Sequence, residues 1–270
     1  MNIINMELTA EQIQQNWIDL EETIKTFISE PRRSKLLDFY SKYSERLIIM
    51  PAAHKKEYHN AFPGGYIDHV LRVIDCALKL NDLWIEMGVD SSTYTKEELV
   101  FSALNHDLGK MGDEENESYI PQTDQWRKEK LGEDYMFNSK IPFASVPDRG
   151  LYLLQSHGIQ YTFNEMIAIQ THDGLYDEAN KKYLYTFMPE QKPRTALPYI
   201  IHQADLMATR IEFEKEWLPK FNTIDNQSKN FSITKAPKTE TVLNNKKSAT
   251  KTKALGNIKS EGLKNLLDSI

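Results

Sequence analysis

The chain is expected to fold as an all-α protein, and three features of its sequence carry that expectation. Capping boxes stand at Thr9–Gln12, Thr95–Glu98 and Thr162–Glu165, where a hydroxyl and the side chain three residues on satisfy each other's free backbone N–H groups at a helix start. Apolar residues after the boxes recur every three or four positions, the period of a half-buried helix. Glycine and proline number only 11 each in 270 residues, too few for the frequent turns of an all-β fold.

The first helix carries Ile13, Trp17, Leu20 and Ile24. A second is expected from about Ser34 to Ile48, with Leu36, Leu37, Phe39 and Tyr40 in its first turns, followed by a loop over 51–63. A long helix runs from about Gly65 to Met87. The box at Thr95 opens the next, whose Leu99, Phe101, Ala103 and Leu104 lead into His106-Asp107-Leu108-Gly109, the glycine ending it. Residues 112–147 are polar around Trp126 and Tyr135 and read as a loop insertion, a candidate lid, because a loop of that length inside a compact domain is usually functional or disordered. Helices follow at about 148–156 and 162–171 and, after a Pro-bounded loop, from about Ala196 to Trp217. From Asn226 onward Lys, Asn, Ser and Thr dominate, a composition that cannot bury enough apolar surface to order itself. Ile258, Leu263, Leu266, Leu267 and Ile270 then mark a short amphipathic helix. The expected organisation is N-terminal helices (1–49) packing on the core, a main domain (50–225), a disordered linker (226–257) and the terminal helix (258–270), which would dock on the body or on a protein partner.

The net charge of −6 conceals an asymmetry: residues 226–270 hold nine Lys and three acids, so the remainder carries −12. An acidic body is a poor general binder of nucleic acid, and the dispersed lysines read as a solvated linker. A lone cysteine, Cys76, excludes an internal disulfide framework and a Cys-rich zinc module. No stretch approaches the roughly 18 uninterrupted apolar residues of a membrane span, and no signal peptide is expected. A reducing, cytoplasmic setting fits this pattern.

Chemistry is concentrated in a few residues. His69 shares a helix face with Val73, Cys76 and Leu80, so its imidazole points inward, either as a core histidine bound to a carbonyl or as a ligand; Gly64-Gly65 just before it allow another group to approach the helix start. His106-Asp107 ends an apolar helix. Lys110 follows within a turn, placed either to answer the helix dipole or to hold a phosphate oxygen. Asp205 sits among Ile200, Ile201, Leu206 and Met207, with His202 and Thr209 on its stripe, and an unpaired carboxylate is rarely buried. It either pairs with Arg210 or ligates a metal. Two imidazoles and two carboxylates suit a catalytic divalent transition metal with an open position.

The order His69 … His106-Asp107 … Asp205 in a helical chain resembles the HD-domain superfamily of metal-dependent phosphohydrolases. Residues 59–69, HNAFPGGYIDH, are similar to the H-H-A-x-x-G-G-L-L-x-H signature of HD-type 3′→5′ exoribonucleases and related bacterial and phage proteins, with Asn60 where the signature has its second histidine. The resemblance spans roughly residues 50–215. It implies an HD-domain helical bundle in which His69, His106, Asp107 and Asp205 bind one or two divalent ions (Mn, Fe, Co, Ni, Zn or Mg). Residues 162–172 resemble the L-T-x-x-E-x-x-A-I-x-x-H segment of many HD proteins, which makes His172 a candidate for a second metal or for substrate phosphate. His157 is expected at the surface.

What this implies is hydrolysis of a nucleotide or other small phosphate ester by a metal-activated water, with Asp107 also holding that water, Lys110 neutralising charge, and His59 orienting substrate or protonating the leaving group. An exonuclease acting on single-stranded RNA or DNA is the first alternative. Others are a di-iron oxygenase, which would need His157 as a sixth ligand, and a non-catalytic partner-binding module.

Overall fold

The computed structural model describes residues 8–55 and 58–218, which belong to one compact unit. The expected linker and the 258–270 helix lie outside the described residues. The architecture is predominantly α-helical, and no helix among the described residues is long and apolar enough to cross a membrane.

The three capping boxes form in full, at the N-termini of α1 (Ala10–Phe27), α5 (Lys96–Asn105) and α8 (Phe163–Thr171). The expected second helix divides into α2 (Arg32–Lys42) and α3 (Ser44–Leu47), because Tyr43 leaves the helical region at φ −107° and ψ 16°. Its buried Leu36, Phe39 and Tyr40 still define one inward face. The long helix α4 (Gly65–Glu86), α7 (Val146–Ser156) and α10 (Leu197–Glu212) follow the apolar periodicity, α10 passing into a π-helical turn at Phe213–Trp217.

Residues 112–147 are not a plain loop. They hold a small antiparallel hairpin, β1 (Tyr119–Pro121) and β2 (Tyr135–Phe137), with Tyr119 opposite Phe137, around the short helix α6 (Gln125–Leu131). His54 packs against it, its ring 4.7 Å from Phe137, so the insertion is anchored. The remaining short helix, α9 (Lys181–Leu184), lies in the connection to α10.

The core lies where α4 meets α5 and α10 and where α8 closes against α5 and α10, with α1 laid across α4 and α5. Leu20 and Ile24 of α1, Leu36 and Phe39 of α2, Val70 and Val73 of α4, Leu99 and Leu104 of α5, and Ile200 and Ile201 of α10 belong to one apolar cluster. Each such side chain contributes about 1.5–3 kcal/mol when fully buried. Two polar ties add register. Arg32 of α2 bonds Glu97 at 2.5 Å and Glu165 at 2.7 Å, joining the starts of α5 and α8. Thr162 donates to Glu98 at 2.7 Å, linking the two capping boxes directly.

Candidate metal centre

Helices α5 and α8 are built on the same plan: each starts in a capping box and each ends in a His-Asp pair. At a helix C-terminus the last carbonyls have no helical partner. His106 uses one, its Nδ1 lying 2.7 Å from the Ala103 carbonyl, and His172 repeats the arrangement with Ile169 at 2.7 Å. A carbonyl only accepts, so Nδ1 carries the proton in both rings and Nε2 is turned toward the space between the helices. Because Arg32 and the Glu98–Thr162 bond align the helix starts, the two rings meet at the other end, their centroids 4.9 Å apart.

His69 enters from α4. Its Nδ1 lies 3.1 Å from both carboxylate oxygens of Glu212, which fixes the same tautomer, and its Nε2 is 3.4 Å from His106 Nε2. Asp107 faces both sides: Oδ2 is 3.6 Å from His69 Nε2 and 3.4 Å from His106 Nε2, while Oδ1 is 3.5 Å from His172 Nε2. Asp205 on α10 places Oδ1 3.2 Å from His69 Nε2 and 3.8 Å from His106 Nε2. Arg210 pairs with Glu214 at 2.9 Å instead, so the structural partner considered for Asp205 is engaged elsewhere.

Among the described residues, four overlapping triads have donor atoms within 4.8 Å of one another: His59–His69–Asp107, His69–His106–Asp205, His106–Asp107–His172 and His172–Asp173–Asp205. This cluster of histidines and aspartates could hold a metal ion. Its nitrogen and oxygen donors, with tautomers set by outer partners, are the chemistry that metal ligation asks for. Glu212, which the sequence reading missed, is the outer partner of His69 and also accepts from Arg72 Nε at 3.0 Å. It lies seven residues after Asp205, two turns along the same face of α10, and that spacing was the available signal.

The electrostatics follow from burying carboxylates beside imidazoles. Burial opposes the charged ring of His69, but Glu212 and Asp205 outweigh it and carry its pKa up to about 10. His172 behaves alike: burial opposes the charge, and Asp107, Asp173 and Asp205 raise it to about 9. Burial would raise the Asp107 pKa; Lys110 and His106 hold it well below the carboxylate range instead. Asp205 is lowered likewise, against its burial, by His69 and His106. Lys110 Nζ stands 2.5 Å from Asp107 Oδ2.

His59 packs against His69, the ring centroids 4.5 Å apart and the planes tilted by 35°, and its buried Nε2 has no protein partner among the described residues. Burial, with His69 and Lys110 nearby, pushes its pKa well below 6.5, so the expected proton donor near neutral pH is instead a neutral ring. Asn60 is a brace: it donates to Gly65 O at 3.2 Å and to Asp68 at 2.9 Å. A Cβ on Gly65 would lie 2.1 Å from the Asn60 carbonyl, which is why the turn meets the helix only at glycine. Gly109 does not stop α5, which already ends at Asn105. It sits in a 3-10 turn, Leu108–Met111, where a Cβ would lie 2.0 Å from the Val146 carbonyl.

His202 supports the cluster from outside it, its Nδ1 2.8 Å from the His172 carbonyl. His157, expected at the surface, is only partly exposed there. It is half-buried at the end of α7, 4.9 Å from the Phe39 ring and 3.2 Å from Tyr43 Oη, and belongs to none of the triads, so it supplies no sixth ligand for an oxygenase. A cavity of about 560 Å³ beside Arg32, Glu97 and Glu98 touches no member of the cluster. Comparison with family models, with curated proteins and with solved structures returned no match.

Proposed function

We propose that the chain is a divalent-metal-dependent phosphohydrolase of the HD type, acting on a nucleotide or another small phosphate ester. One observation carries this: His69, His106 and His172 turn their Nε2 atoms, each with Nδ1 tied from behind, toward the two carboxylates of Asp107 and Asp205. His69, His106, Asp107 and Asp205 would hold one ion; His172 and Asp173, with a shared aspartate, are the donors for a second. A bound divalent ion supplies Lewis acidity and a water of lowered pKa.

In the hydrolysis a water oxygen bonds to phosphorus as the ester P–O bond breaks, and a proton passes to the leaving oxygen. Asp107 and Asp205 are acceptors that can orient the attacking water. Lys110, a fixed cation beside Asp107, is positioned to offset charge growing on the phosphoryl oxygens. His59, neutral and with Nε2 unpaired, is suited to orienting a substrate oxygen by a hydrogen bond.

The experiment is metal analysis of the purified chain together with a phosphoester screen that includes labelled RNA and single-stranded DNA. Asp107→Ala and the milder Asp205→Asn are each expected to lose bound metal and turnover while keeping the helical circular dichroism spectrum. An Asp107→Ala protein with full metal and full turnover would end the proposal.

A further inference from the structure

A cavity of about 470 Å³ opens between the 112–147 insertion, the Lys110 turn and the start of α7. Its size lies within the ordinary range for small-molecule sites. Lys110 lines it, and the same ammonium is 2.5 Å from Asp107, so the cavity adjoins the metal centre through one side chain. Arg149 is a second cation. It bonds Pro142 O at 2.9 Å, Gly109 O at 3.3 Å and Ser118 Oγ at 3.5 Å, all uncharged acceptors that leave its charge available to an anion.

The insertion supplies the other half. Tyr119 and Phe137, paired across the hairpin with rings 5.4 Å apart, form one wall, and Phe143 stands at the rim 98% exposed. A phenylalanine so exposed contributes nothing to the core and offers a free ring face. Asn138 adds a polar edge: its Oδ1 accepts from Lys140 N at 3.1 Å, and its amide supplies donors. Cations at one side and aromatic faces at the other match a ligand that is anionic at one end and a flat π-system at the other. A sugar phosphate lacks the π-face, and a lipid chain would find the polar edge and cations misplaced.

We infer that this cavity is a nucleoside pocket: the base of a nucleoside monophosphate lies against Phe143 and Phe137 while its phosphate passes Lys110 toward Asp107. This rests on the phosphohydrolase proposal and narrows its substrate class. Base–aromatic stacking is sequence-tolerant, so selection for a base is expected to exceed selection among bases.

The test compares the five common nucleoside monophosphates with ribose 5-phosphate, which keeps the phosphate and drops the base. Binding is read by calorimetry, which needs no catalysis. At least one nucleotide should bind about tenfold or more tighter than ribose 5-phosphate, the scale of a single base stack. Phe143→Ala and Phe137→Ala should each reduce that ratio several-fold; Phe143 is a surface residue whose loss leaves the core intact. Equal affinity for ribose 5-phosphate and every nucleotide, or an unchanged ratio in both variants, overturns the pocket. The outcomes separate cleanly: a phosphoester hydrolase indifferent to the base sinks the pocket alone, while base-dependent binding without any hydrolysis sinks the proposed activity alone.

Discussion

Glu212 is where fold and chemistry are most tightly joined. Its carboxylate is fully buried and accepts from His69 Nδ1 at 3.1 Å and from Arg72 Nε at 3.0 Å. Glu212→Gln keeps the volume but removes the negative charge and turns one oxygen into an amide NH2, and because His69 Nδ1 lies 3.1 Å from both oxygens, that donor faces the His69 N–H in either amide orientation. Losing one charge-assisted hydrogen bond costs about 1.5–3 kcal/mol. The Arg72 side chain is 24% exposed, so water can replace part of its bond and the stability loss should fall at the lower end. For the metal, weakening the outer partner of a ligating histidine typically costs 10- to 100-fold in affinity, roughly 1.4–2.8 kcal/mol. The pKa of His69, carried to about 10 largely by Glu212 against its burial, should also fall in the metal-stripped variant. Competition of Zn²⁺ or Mn²⁺ against a chromophoric chelator measures the affinity, and NMR titration measures the ring. Glu214→Gln, exposed and paired with Arg210, is the control. A Glu212→Gln protein that binds metal within twofold of wild type and keeps the His69 titration would refute the claim that this carboxylate holds the ring for a metal.

Metal loading should release protons. At pH 7 the stripped protein carries protons on both His69 and His172, with pKa values of about 10 and about 9, and ligation needs the neutral rings. Calorimetry in buffers of different ionisation enthalpy counts them; up to two are expected, and none would contradict the assignment. The same shifts set a stability profile. Both values are raised above the unfolded 6.5, so this contribution is complete below pH 6.5 and disappears as pH climbs through 9 to 10. Urea midpoints of the stripped protein should therefore fall across that window, and a midpoint that holds or rises would speak against the charged pair. Gly65→Ala puts a methyl 2.1 Å from the Asn60 carbonyl and should destabilise by about 1–3 kcal/mol, measured by thermal melting, while weakening metal binding because the turn bearing His59 is forced off α4. Unchanged stability and affinity would mean that the turn has room to move.

Much of the helical scaffold was legible because its signals are local. Thr9, Thr95 and Thr162 announce helix starts through partners three residues away, and the buried faces of α4 and α10 appear as apolar periodicity. The insertion was less legible: its strands are three residues each, too short for alternation to register, and they are held by His54 from a distant loop. Tyr43 breaks the second helix without a glycine or proline to mark it. His157 looked exposed because the rings that cover it, Phe39 and Tyr43, are more than a hundred residues away in the chain.

By itself the sequence determined the capped and apolar-periodic helices and which residues can ligate a cation, since capping, period and side-chain chemistry are properties of neighbours along the chain. Only the tertiary structure decided that Glu212 stands behind His69, that Arg210 turns from Asp205 to Glu214, and that α5 and α8 bring their terminal histidines together. Those outcomes depend on which helix faces meet, and that is settled by packing among α4, α5, α8 and α10, where rotating a helix by a single residue, about 100°, would send each of these side chains elsewhere.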